Sequence, residues 1–302
     1  MVRQKLKIGS RESKLAVIQA RMMMEQIKSH YPEIDFELVT MKTTGDKILD
    51  QTLDKIGGKG LFVKELETGL QQGVIDLAVH SLKDMAADIP PELPLVAFSK
   101  REDPRDVLVL PEGIDHLDPN KPVGCSSARR NIQLTELIKN IRIEPVRGNV
   151  LTRISKLDEG QFSGLVLAFA GLKRLGLQHR ISNVFSVQEI LPAAGQGILA
   201  VQGRLDDDLS FLHCIDDQDA ADAAKAEREF VKTLQGGCST PIAALASVSG
   251  NELQLTGLYV DEQTGVKVKG SINGSRSQAQ RLGAQLAQRL FSEVKCCDDE
   301  DR

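Results

Sequence analysis

The run Ile75-Asp-Leu-Ala-Val-His80, which breaks at once into Ser81-Leu-Lys-Asp84, constrains the fold more than any other stretch. A nearly continuous apolar strand is one covered on both faces, as the central strands of parallel α/β sheets are. Gly164-Leu-Val-Leu-Ala-Phe169 is a second such run, and the helix signal Ala170 to Leu175 follows it directly. In open α/β sheets, ligand-contacting residues gather at the carboxyl ends of strands. Lys83 and Asp84 stand at such an end, which predicts a carboxylate in a cleft. A plain turn cap at Asp84 is an equal reading of that residue alone.

The same construction recurs along the chain. Lys5 to Gly9 reads as a strand, and Ser10-Arg-Glu-Ser-Lys14 opens a helix with Leu15, Ile18, Met22 and Ile27 on one stripe. Backbone N–H groups at that helix start form an anion site beside Arg11 and Ser13; the competing reading is that a serine only caps the helix. Asp35 to Met41 completes a βαβ unit. Pro122 to Cys125 is a strand that passes through Ser126-Ser127, read as a cap, into a helix beginning Ala128-Arg129-Arg130. Arg142 to Val146 runs likewise into Arg147-Gly-Asn-Val-Leu-Thr-Arg153, and the helix after Gly164–Phe169 carries Arg174. Each arginine alone reads as a solvated surface residue. Gathered at strand-to-helix junctions, they suit bidentate pairing with carboxylates. A polycarboxylate ligand held between two lobes is the inference. Gly57-Gly-Lys-Gly60 lacks the spacing and the Ser/Thr of a Walker loop, so Lys59 either approaches an acidic ligand or is a solvated loop lysine.

A chain of 302 residues exceeds one typical core. Arg101-Glu-Asp-Pro-Arg-Asp106 and Glu189 to Val201 read as the two crossings between lobes, the second with hinge-like glycines and a proline. Helices are expected over Asp206–Leu212 and Ala220–Leu234. Three strand-like runs (Ile242–Val248, Leu253–Val260, Val266–Ile272) and a helix over Ser277–Ser292 then make a small α+β domain with an antiparallel meander. The expected division is 1–97 with 193–214, then 98–192, then 215–302. Between the long helix and the meander, Leu234-Gln-Gly-Gly-Cys-Ser-Thr-Pro241 sets Cys238 in a flexible turn. That thiol is a nucleophile, an attachment point or a buried free cysteine.

Composition narrows the function classes. A net charge of −4 speaks against a general nucleic-acid binder, so the arginines are locally placed. Five cysteines without CxxC spacing fit neither a disulfide framework nor a metal site, and point to a reducing cytoplasm. No window approaches a membrane-spanning length.

In order and spacing, these motifs resemble the porphobilinogen deaminase (hydroxymethylbilane synthase) family from Lys7 to about Leu290. The matching stretches are Ile8–Ala16, Ile56–Glu67, Ile75–Asp84, Arg101–Asp106, Arg147–Val150, Pro192–Gly197 and Gly236–Cys238. The resemblance implies two α/β lobes similar to periplasmic binding proteins around a cleft, plus a small C-terminal α+β domain. It implies a monomeric cytoplasmic transferase of tetrapyrrole and heme biosynthesis, with no metal, nucleic-acid or membrane partner. It implies a dipyrromethane held by thioether on Cys238, which primes the addition of four porphobilinogen molecules with loss of ammonia. Hydrolysis then releases the linear hydroxymethylbilane and the primer stays attached.

By the same resemblance, Asp84 is the catalytic carboxylate beside the pyrrole nitrogen of an electrophilic azafulvene. Lys83, Ser81, Ser127, Arg129, Arg130 and Arg147 would hold the cofactor. Arg11, Ser13, Arg153 and Arg174 would hold the substrate, with Lys59 in a loop covering the cleft. The chain departs from the family pattern at Ala86 (commonly proline), Cys125 (threonine), Ala128 (a larger apolar residue) and Gln202 (glutamate). A non-enzymatic two-lobed carboxylate-binding module is the competing class. It explains the arginines and hinges, but neither the glycine-flanked cysteine nor an acid in a cationic cleft.

Overall fold

The structure, a computed structural model, describes residues 5–43, 63–236 and 240–300. The chain rises through β1 (Lys5–Arg11), α1 (Lys14–His30), β2 (Asp35–Met41), α2 (Lys64–Gln71), β3 (Leu77–Ser81) and β4 (Leu95–Phe98). It continues through β5 (Asp106–Val109), β6 (Val123–Gly124), α3 (Ala128–Leu137), β7 (Ile143–Glu144), α4 (Val150–Asp158), β8 (Gly164–Ala168), α5 (Phe169–Arg174) and β9 (Asn183–Val184). Then come β10 (Leu199–Gly203), α6 (Gln218–Thr233), β11 (Ala243–Ser249), β12 (Glu252–Val260), β13 (Lys267–Ser275) and α7 (Ala279–Glu300).

Three sheets organise these elements. The first has the order β2-β1-β3-β10-β4 and the second β7-β6-β8-β5-β9. In each, a parallel block (β2-β1-β3; β7-β6-β8) meets an antiparallel strand that the chain inserts from one of its crossings, β10 on β3 and β5 on β8. The two apolar runs, Ile75–His80 and Gly164–Phe169, supply β3 and β8, both central. Leu77 and Ala78 are fully buried in one, and Leu165 in the other. The third sheet is the expected antiparallel meander β11-β12-β13, backed by α6 and α7 through Phe230, Leu253, Leu255 and Leu286. The fold is α/β with two sheet-and-helix lobes and a small C-terminal unit of sheet and helix.

Two expectations change. On α1 the buried stripe is Gln19, Ala20, Met23 and Ile27, whereas Met22 is exposed and Leu15 and Ile18 are half-buried. Leu15 instead points toward Gly171 of the other lobe. A polar residue, Gln19, lies on the inward face because its amide is paired with Ser81. The helix expected over Asp206–Leu212 is reduced to a 3-10 turn, Ser210–Cys214. There Asp208 Oδ1 accepts from the Ser210 amide at 3.3 Å and hydroxyl at 2.8 Å, local bonding that competes with a helix start.

The crossings lie side by side. The Ser99 amide donates to Leu199 O at 2.9 Å and the Glu102 amide to Gly197 O at 3.2 Å. Gly197 has φ +93°, and a Cβ there would sit 2.3 Å from Glu102 O, so only glycine fits. The C-terminal unit touches both lobes. Arg228 donates to the carbonyls of Ala86 and Ala87 in the first, and Lys267 pairs with Glu136 while Lys269 donates to Gln188 O in the second.

Candidate functional site

β3 delivers its last residue, Ser81, to the mouth between the lobes, and a single 3-10 turn, Leu82–Asp84, follows. Leu82 is driven into the core, so Lys83 and Asp84 stay at the surface of the turn. A pocket there is lined by Arg11, Gln19, His80, Ser81 and Asp84 with apolar Ala16, Val63 and Val79. β1 contributes Arg11 at its carboxyl end, and Ser13 caps α1 by accepting from the Ala16 amide at 3.3 Å. The capping reading of Ser13 therefore holds in this structure, beside an arginine at the same helix start.

His80 is buried beneath the pocket, and its Nε2 lies 3.0 Å from Gln202 Oε1. Gln202 Nε2 donates to Glu67 Oε1 and Leu93 O, which orients the amide and makes His80 Nε2 the donor. Burial, with Arg11 nearby, pushes the His80 pKa down to about 4 although the Gln202 bond opposes it. His80 is thus a neutral wall of the pocket.

The second lobe faces this site with cations. Arg129 and Arg130, at the start of α3, are almost fully buried and converge on Asp106, the first residue of β5. Arg129 Nη1 donates to Asp106 Oδ2 at 2.8 Å and to Leu191 O at 2.7 Å. Arg130 donates through Nε and Nη2 to Asp106 Oδ1 at 3.0 and 2.7 Å, and through Nη1 to Val166 O at 3.0 Å. Burial alone would raise the Asp106 pKa, but the two guanidiniums more than offset it and hold the carboxyl far below the usual carboxylate range. Gln196, on the return crossing, joins this cluster to the first lobe. Its Nε2 donates to Asp106 Oδ1 at 2.9 Å and to Pro104 O at 2.6 Å, and its Oε1 accepts from Lys83 Nζ at 3.4 Å. Burial lowers the Lys83 pKa to about 8; Asp84 pulls it upward and Arg130 pushes it down.

The remaining expected residues distribute unevenly. Arg153 on α4 donates Nε to Gly148 O at 2.8 Å, and its pKa is depressed by burial and then by Arg130 and Arg147, with Asp84 opposing. Arg147, Arg153, Arg130 and Asp84 are therefore near enough to feel one another across the cleft. Arg174 sits apart at the hinge: its Nη2 donates to Gly197 O at 2.7 Å, and burial lowers its pKa to about 10 against the pull of Glu102. Ser127 is the residue preceding α3 but its side chain makes no capping bond, while Ser126 bonds both the amide and the carbonyl of Val146. The expected serine cap is thereby corrected: a cross-strand tie takes the first hydroxyl. Lys59 and Cys238 lie outside the described residues. Among the described residues no group of His, Cys, Asp and Glu could hold a metal ion, and no helix is long and apolar enough to cross a membrane.

Asp106, Gln196, Gln19 and His80 were not singled out in the sequence. Asp106 carried a signal, since a strand that begins with an acid in a buried run needs cationic partners. Glu227 carried another. It lies on the apolar stripe Ala220, Ala223, Ala224, Phe230 of α6, is fully buried, and accepts from Arg101 Nη2 at 2.6 Å and from the amides of Gly195 and Ala246 at 2.7 Å.

The fold and this cleft define a two-lobed α/β protein with Arg11 and Asp84 at strand ends of the first lobe and Arg130 and Arg153 on the second. Family models agree in detail: the one described as porphobilinogen deaminase, dipyrromethane cofactor binding domain, matches residues 6–210, and the one described as its C-terminal domain matches residues 221–292. The chain belongs to the porphobilinogen deaminase family. A porphobilinogen deaminase of Acetivibrio thermocellus is 56% identical over 95% of this chain and 98% of its own length. One of Alkaliphilus oremlandii is 56% identical over 96% and 97%, and one of Nostoc sp. 43% identical over 95% and 91%. A periplasmic aliphatic sulphonate binding protein of Escherichia coli aligns over 77% of this chain and 71% of its own, at 12% identity and a TM-score of 0.39, too low to weigh.

Proposed function

We infer that the chain is a hydroxymethylbilane synthase, a transferase that condenses four porphobilinogen molecules onto a dipyrromethane and releases a linear tetrapyrrole. Family membership over nearly the whole chain supports this. The observation that carries it to particular residues is the pocket at the carboxyl ends of β1 and β3, lined by Arg11, Ser81 and Asp84 together.

The residues present fit a dipyrromethane with acidic side arms. Burial first, and then Arg130 and Arg147, depress the Arg153 pKa, and ligand carboxylates would relieve both the burial of that charge and the repulsion among these cations. When bound, the cofactor supplies the covalently anchored end on which the chain grows. Cys238 would carry it, with Lys83, Ser81, Ser127, Arg129, Arg130 and Arg147 around its carboxylates. Arg11, Ser13, Arg153, Arg174 and Lys59 would receive the substrate's acetate and propionate. Asp84 would stabilise positive charge developing on a pyrrole nitrogen, and would take or return a proton there. Lys83, its pKa lowered by burial to about 8, loses its own proton more readily than a surface lysine. Arg129 and Arg130 contribute rigidity first, because Asp106 already holds one edge of each guanidinium. The protein would act as a cytoplasmic monomer divided as 1–97 with 193–214, 98–192 and 215–302.

Intact mass tests the reading. The purified protein should exceed its chain mass by two pyrrole units, localised by peptide mapping to Cys238, and Cys238→Ser should show the bare chain mass. A bare mass in the active parent protein would overturn the covalent cofactor. Asp84→Ala should stay folded and lose nearly all turnover; retention of most turnover would remove Asp84 from its role.

A further inference from the structure

α6 belongs to the C-terminal unit, yet one of its stripes runs along the segment that carries Lys83 and Asp84. Ala220 and Ala224 share one buried apolar cluster with Leu82 and Met85, the two apolar residues that bracket the pair. One turn further, Arg228 Nη2 donates to Ala86 O at 2.7 Å and to Ala87 O at 3.1 Å. A turn beyond that, Lys232 pairs with Asp88 at 3.4 Å. Positions 220, 224, 228 and 232 recur every fourth residue and so share a face.

The segment itself has little of its own to hold it. After the 3-10 turn, residues 85–89 adopt no regular secondary structure. Met85 N closes the turn on Leu82 O, and the next two carbonyls go to Arg228. A half-buried guanidinium spending its donors on two successive main-chain carbonyls fixes backbone rather than charge. Burial lowers the Arg228 pKa while Asp88 opposes it. The guanidinium stays cationic throughout, so the clamp is present at every working pH.

We propose that Arg228 is a positioning residue for the reaction: by clamping the carbonyls of Ala86 and Ala87 it fixes where Asp84 points. This rests on the reading of Asp84 as the reacting carboxylate. A misplacement of about 1 Å at a reacting group can cost on the order of a hundredfold in rate. Arg228→Met should therefore lower kcat about 10- to 100-fold, with KM changed less than about threefold, since no substrate-holding group is touched. Arg228→Lys, which keeps a donor on a flexible stem, should recover most of the loss. Lys232→Met, on the same face but paired with an exposed side chain, should leave kcat within about twofold.

The experiment measures kcat, KM and the attached cofactor mass of these variants, together with Asp84→Ala and the Arg228→Met/Asp84→Ala double variant. The proposal expects the double variant to be no slower than Asp84→Ala alone. It is overturned if Arg228→Met keeps kcat within twofold, if its whole effect lies in KM or thermal stability, or if Lys232→Met is equally slow. Should Arg228→Met fail to fold, Arg228→Gln takes its place, and a kcat within twofold of the parent with only a lowered melting temperature would overturn the proposal equally. Failure of the underlying reading looks different, because there Asp84→Ala itself stays active.

Discussion

Asp106→Ala offers a stringent test of how the second lobe is held together. Asp106 is fully buried and accepts from four donors: Arg129 Nη1, Arg130 Nε and Nη2, and Gln196 Nε2. Removing it leaves two nearly buried guanidiniums facing each other without their shared acceptor. Deleting one partner of a buried ion pair costs about 3–5 kcal/mol. Summing three charge-assisted bonds at about 1.5–3 kcal/mol each would exceed that, but they share two oxygens and are not additive. Two cations losing one partner argues for the upper end, about 4–5 kcal/mol, against a typical whole-protein stability of about 5–15 kcal/mol. Amide exchange along β5 and β8 read by mass spectrometry, beside urea unfolding followed by circular dichroism, would measure the loss where it occurs. The acid branch has a definite sign. The folded Asp106 pKa is depressed below the unfolded value near 3.9, so its stabilisation is present above that value and is lost as pH falls through the lower folded one. The parent should therefore lose stability below about pH 4 more steeply than Asp106→Ala. A variant within about 1 kcal/mol of the parent, with an unchanged acid limb, would refute the argument.

Other substitutions probe the hinge and the pocket wall. Glu227→Gln leaves one oxygen for three donors and should cost about 2–4 kcal/mol, with faster proteolysis at 192–197; cleavage at the parental rate would count against it. Gly197→Ala should cost about 1–3 kcal/mol in backbone strain at φ +93° and shift the crossing, seen as a lowered melting temperature; an unaltered melting temperature would contradict the glycine requirement. His80 should show no imidazole titration by NMR between pH 8 and 5. Because its folded pKa, about 4, lies below the unfolded value near 6.5, the stability linked to it falls as pH drops through that interval. A midpoint near 6.5 would mean the ring is solvated.

Much of this was legible because it is local. β2 falls on Asp35–Met41 as expected, β3 and β8 are the two apolar runs, and the carboxyl ends of β1 and β3 do bring Arg11 and Asp84 to one pocket. What sequence periodicity could not give is the acceptor of a buried arginine. Arg129 and Arg130 looked like solvent-facing ligand holders at a helix start, but their partner lies 23 and 24 residues away on a neighbouring strand. The inward turn of Gln19 was hidden for the same reason: its partner, Ser81, is 62 residues distant. Arg174 matched a substrate-binding position in sequence, and only the fold places its guanidinium on the hinge carbonyl of Gly197.

The C-terminal unit is tied to each lobe by a buried apolar contact and an exposed ion pair, and the two kinds of tie answer differently to salt. Toward the first lobe, packed alanines and a sheltered guanidinium are indifferent to ionic strength, while the exposed Lys232–Asp88 pair responds to it. Toward the second, Lys267 with Glu136 is an exposed pair, worth roughly 0–1 kcal/mol and weakened by salt, but Leu191 shares a buried apolar cluster with Ala243 and Leu258 that salt leaves in place. Salt should therefore loosen the exposed rim of both attachments while buried apolar contacts keep the C-terminal unit seated on each lobe.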